Sequence, residues 1–117
     1  MNRSNIPAIA VIVALSALGS PARAQVGNDV KCLLASNLFA NSAKEPKVRA
    51  SAEASKFFYL GRIHGRLDAT QLKTQVLAQQ KSISTSNAGQ IMNGCARQME
   101  AAVKMVQAVT QGLTSAK

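Results

Sequence analysis

The sequence predicts an all-α fold: a small four-helix bundle stapled by one disulfide, Cys32–Cys95, behind an N-terminal signal peptide. Three observations carry that expectation. No stretch alternates apolar and polar residues for long, and Ala, Gln, Lys and Leu dominate the chain after its leader. The first two dozen residues have the three-part layout of an export signal, with Arg3, the apolar run Ala8–Leu18 and the small-x-small site Ala22-Arg23-Ala24. Two cysteines remain after the leader, and an even number in an oxidising compartment points to one bridge.

Cleavage is expected between Ala24 and Gln25, which removes 24 of the 117 residues and leaves 93 as a single helical domain, residues 25–117. The loss of Arg3 and Arg23 lowers the formal net charge from +9 to +7. The leader's apolar run is too short for a membrane span, and no transmembrane segment is expected in the mature chain. Periplasmic or secreted localisation follows. A bridge across some sixty residues stabilises by about 4 kcal/mol in the chain-entropy picture, a large share of the total for so small a domain.

The elements follow in order. Asn28 has the character of a helix cap with Asp29 in the first turn, so a first helix is expected over about 28–41, turning Val30, Leu33, Leu34 and Leu38 inward. Pro46 suits the first position of a second helix, expected over 46–67. Asp68-Ala69-Thr70-Gln71 has the form of a capping box and opens a third helix over 69–82, with Ala69, Leu72, Val76 and Ile83 inward. The polar run Ser84–Asn87 leads to a fourth, over 87–113, whose inner stripe is Met92, Cys95, Met99, Val103, Val106 and Leu113. In an up-down-up-down bundle the two cysteines fall at similar heights. The second and fourth helices are the longer pair, and their far ends are expected to cover each other.

The second helix carries the densest cluster of chemistry, Phe57-Phe58-Tyr59-Leu60 followed by Gly61, Arg62, His64, Gly65 and Arg66. Its apolar stripe changes sides along the helix: Ala50, Ala54 and Phe57 share one face, and Leu60, Ile63 and Leu67 another. A crossover turn buried nearly all round explains the four consecutive apolar residues. Phe58 lies nearest the side that carries Arg62 and Arg66, and an exposed aromatic between two guanidinium groups is a candidate anchor for a protein partner or an anionic envelope component. His64 has Asp68 four residues on, a spacing that would orient it and raise its pKa as a pH sensor.

Other chemistries are disfavoured. Met92 and Met99 read as core filling, for no further sulfur or histidine cluster accompanies them and no metal site is expected. Five acids stand singly along the chain, no serine occupies a nucleophile elbow and no glycine-rich phosphate loop occurs, so neither catalysis nor a cofactor is expected. Nucleic acid is a poor partner for an exported chain with no aromatic stacking platform.

The architecture resembles small one-disulfide helical proteins of the Gram-negative periplasm. Two groups share it: acid-stress chaperones of the HdeA type, and immunity proteins that neutralise type VI secretion amidases. The likeness covers most of the mature chain and carries no residues across. The chaperone alternative meets a physical objection, because with five acids and His64 the charge rises on acidification only from +7 to +13. The expectation is an exported, non-catalytic interaction protein, with a holdase or a toxin inhibitor as alternatives.

Overall fold

A computed structural model describes residues 21–115; most of the expected signal peptide, residues 1–24, lies outside the described residues. Four helices make up the described chain: α1 (Pro21–Ser42), α2 (Pro46–Ile63), α3 (Ala69–Gln80) and α4 (Ala88–Ser115). Among the described residues there is no strand, and Cys32 is bonded to Cys95. The described residues are thus all-helical, with one disulfide.

α1 is the hub. It packs along α2 for most of its length and also touches α3 and α4, whereas α3 touches α1 alone. Small residues bring α1 and α2 close together, for Ala35, Ser36, Ala52 and Ser55 are all fully buried between them. The Ser36 and Ser55 hydroxyls meet at 2.7 Å, and Ser36 Oγ stands 3.7 Å from the Met92 sulfur of α4. Buried hydroxyls remain tolerable here because they satisfy one another.

The expected element borders shift at three places. α1 begins at Pro21 and not at Asn28, running through the Ala24–Gln25 bond without a break. Asn28 therefore caps nothing and reaches across to Gln98, while Asp29, expected in a first turn, is mid-helix and buried. Gly27 is where α3 crosses α1, since a methyl group added there would stand 3.0 Å from the Gln79 side-chain nitrogen.

α2 ends at Ile63, four residues before the expected Leu67. Gly65 takes a positive φ of 85°, a conformation that a side chain resists, and Arg66 N–H closes the turn onto the Ile63 carbonyl. α3 opens as expected: the Asp68 carboxylate accepts from Gln71 N–H, and the Gln71 side chain accepts from Asp68 N–H. It stops at Gln80 and buries no residue completely, with Leu72 and Val76 half-covered and Ala69 exposed.

Bonding Cys32 to Cys95 closes a sequence separation of 63 residues. Replacing both cysteines by serine is expected to lower the free energy of unfolding by about 4 kcal/mol. Denaturant titration measures this, and a loss below about 1 kcal/mol would show that packing alone holds α1 to α4.

Candidate functional site

Two regions carry what chemistry and exposure the chain has: an inward clasp around Tyr59, and an uncovered face on α4.

The buried stripe of α2 is Ala52, Ser55, Tyr59 and Ile63. This corrects the expected burial of Phe57, which is 58% exposed beneath the Lys56 ammonium, and of Leu60, which is also exposed. Tyr59 is wholly buried against the Cys32–Cys95 bridge. Its hydroxyl lies 2.6 Å from the Cys95 carbonyl and 2.9 Å from Gln98 Oε1, and with one proton to give it donates to the nearer. Tyr59 thus ties α2 to α4 at the disulfide itself.

Phe58 is half-buried, edge-on to Tyr59 with ring centroids 4.9 Å apart. Arg62 lies 5.7 Å above the Phe58 ring and directs its Nε to Asp29 Oδ1 at 3.1 Å. Arg66 NH1 approaches the other carboxylate oxygen, Oδ2, at 3.6 Å, and that oxygen accepts no hydrogen bond. Arg62 thus joins Phe58 on one side to the buried Asp29 carboxylate on the other, and Arg66 approaches that same carboxylate. Arg62 thereby ties α2 to α1, and Arg66, in the turn after α2, reaches the carboxylate while remaining exposed. His64 and Asp68 do not meet: His64 is exposed at the end of α2, and the Asp68 carboxylate is occupied by the α3 cap. No group of three or more metal-ligating side chains gathers among the described residues.

Sequence reasoning missed Asp29 as the centre of this clasp because its neighbours in the chain resemble a helix start. The signal present was the pair of arginines at i, i+4 with no acid near them on their own helix.

The second region is α4 beyond the bundle. Met92 and Cys95 are buried and Met99 is half-buried, but Val103, Val106 and Leu113, expected on the same inner stripe, are exposed. Val106 is 62% and Leu113 69% exposed, and Met105 and Val109 beside them are similarly open. The positions Met92, Cys95, Met99, Ala102, Val106, Val109 and Leu113 follow one another at steps of three and four, the spacing of a continuous helical seam. One line of residues is therefore core in its first half and open in its second. From Gln98 to Ser115 the only charged side chains are Glu100 and Lys104, both off this seam.

Among the described residues no helix is long and apolar enough to cross a membrane. No family model, curated protein or solved structure matches this chain.

Tyr59 yields a pH prediction whose sign is fixed. Burial first, then the nearby Asp29 charge, push its phenol up to about 12 from 10.0, against a smaller lowering by Arg62. The folded state holds that proton more tightly than the unfolded chain, so stability is intact below pH 10 and falls as pH rises from about 10 to about 12, by up to about 3 kcal/mol. Tyr59 is the chain's one tyrosine and there is no tryptophan, so the tyrosinate absorbance that appears on ionisation reads it alone. A midpoint near the ordinary value, in a chain still folded by circular dichroism, would show the phenol open to water. Tyr59→Phe should lose this alkaline component.

Proposed function

We propose that this chain is an exported, non-catalytic interaction protein that binds a partner through the open face of α4. One observation carries the reading: a seam that is core at Met92 and Cys95 continues, in register, over about three turns that no other described helix covers. An amphipathic helix with its apolar side free is half of a helix-in-groove or helix-on-helix contact. Because the face carries no charge of its own, its partner is recognised by apolar surface rather than by the basic charge of the domain. The matching element is a helix with an apolar stripe of similar length.

Export is supported by the leader's layout together with the bonded cysteine pair. The helical course of α1 across Ala24–Gln25 adds a condition. Proteases cut extended, accessible chain, so processing at that bond acts before α1 has folded.

An exposed apolar face also favours a second reading, a holdase that retains unfolding clients. The two differ in selectivity. An interaction protein retains one stoichiometric partner at neutral pH, whereas a holdase suppresses aggregation of many unrelated clients.

The deciding experiment is native capture from the envelope fraction with the processed protein as bait, beside Val106→Asp with Leu113→Asp. The double variant should fold normally, since both residues are exposed, and should retain at least about tenfold less partner, each buried anchor being worth roughly 1–2 kcal/mol. Equal retention by both proteins would remove α4 from the interface.

A further inference from the structure

α1 crosses the seam of α4 instead of following it. The two helices meet through Ser36 at Met92, Cys32 at Cys95 and Asn28 at Gln98. Those α4 positions lie three apart, so the line of contact drifts about 60° round the helix at each step. The seam, at alternating steps of three and four, keeps its direction. Past Gln98 the two have parted, and Val106, Val109 and Leu113 stand open.

We infer that the element covering this face is α4 of a second copy, running antiparallel about a two-fold axis that passes between Gln107 and Ala108. The inference rests on the reading of α4 as the binding face and names its partner.

A two-fold contact must be self-complementary, each residue meeting the one that meets it in return. The seam satisfies this in one antiparallel register. Val106 lies opposite Val109 of the second copy, and Ala102 opposite its Leu113. On one flank Met105 lies beside Gly112 of the second copy, and on the other Val103 lies beside its Thr110. At Ala102 and at Gly112 a large side chain thus falls against a small one, which lets the two helices pack without voids. The register also accounts for Gly112. Within one chain a methyl group added there would meet nothing within 4 Å, so the chain's own packing gives no reason for a residue that weakens a helix. Met105 of a second copy supplies the reason.

Charge and area agree with this occupant. Each copy is strongly positive, so a like copy can approach closely only where that charge is absent. The flanks of the open stretch carry Gln107, Thr110 and Thr114, and Glu100 and Lys104 lie on the far side of the helix. Val103, Met105, Val106, Val109 and Leu113 are between 47% and 69% exposed. Ten such side chains, at roughly 100 Å² each, bring the pair to about 1,000 Å², the least a specific interface buries. The dimer is therefore weak and depends on concentration.

Sedimentation equilibrium of the oxidised, processed protein alone tests this. The chain should pass from monomer to dimer with a dissociation constant on the order of 10–100 µM. Val106→Asp with Leu113→Asp should weaken association by at least about a hundredfold. Gly112→Met alone should weaken it about tenfold, because two methionines then claim one space, with helix content by circular dichroism undiminished. Adding Met105→Ala to that variant should restore the wild-type affinity to within about threefold. A wild type that stays monomeric to about 500 µM overturns the inference, as does a dimer unmoved by either change or a loss that Met105→Ala does not repair. A monomeric protein that still captures a partner through Val106 and Leu113 leaves the binding face standing, so the two ideas fail separately.

Discussion

With Cys32 bonded to Cys95, α1 and α4 have a single sliding position, and the remaining contacts are built around it. α2 enters through Tyr59, whose hydroxyl donates to the carbonyl of Cys95 itself, and through Ser55, which meets Ser36 one turn along. α3 is held only against α1, at the point where Gly27 permits Gln75 and Gln79 to approach. The same register fixes what is left over. α2 is stopped at Ile63 by the Gly65 turn, α1 starts at Pro21, and α4 runs on to Ser115. Had α2 continued to Leu67, it would have covered about one further turn of α4. The open face is a consequence of three helix lengths and one bond.

The interior is unusual for the work it must do. Ala35, Ala52, Ser36 and Ser55 let α1 and α2 approach closely but bury little apolar area, and Asp29 places a carboxylate among them. A buried carboxylate is tolerable only when opposed, and Arg62 of α2 and Arg66 of the turn after it oppose it. Such a pair adds little net stability over an apolar equivalent, but it is expensive to break and so fixes which face of α2 meets α1. The disulfide supplies by chain entropy what a small, partly polar core cannot supply by burial.

How far all this was legible follows from where each signal resides. The cysteine pair, Pro46 and the Asp68–Gln71 capping box are local and were read from the sequence as they stand. The start of α1 was not, because Asn28 and Asp29 have the chemistry of a cap and first turn, and what overrides it lies on α2 and α4, tens of residues away. The face of α2 was misjudged for a physical reason: close packing chose small side chains, so Ser55 is buried while Phe57 faces water. Counting hydrophobicity assigns these the other way. On α4 the periodicity correctly marked one side of the helix, but periodicity says which side wants cover and nothing about whether a neighbour extends far enough to give it. The clasp residues Phe58, Arg62 and Arg66 were recognisable as a group; their shared target, Asp29, was not.

The composition of the overhang bears on whether its exposure is a resting state. Val103, Val106 and Val109 are β-branched, and Gly112 is worse, so the segment past Ala102 is weakly helical by its own preferences. An isolated helix of this length is marginal in water, and the overhang persists because the buried turns around Met92 and Cys95 have already nucleated it. Valine at a seam is favourable once a neighbour covers it and unfavourable while it faces solvent. A helix built this way gains stability from whatever lies along it, so covering and helix formation reinforce each other. In a domain carrying a strong positive charge, the neutral end of α4 is also the place where another apolar helix can approach without meeting that charge. Its geometry, its residue preferences and its lack of charge all favour the same kind of occupant.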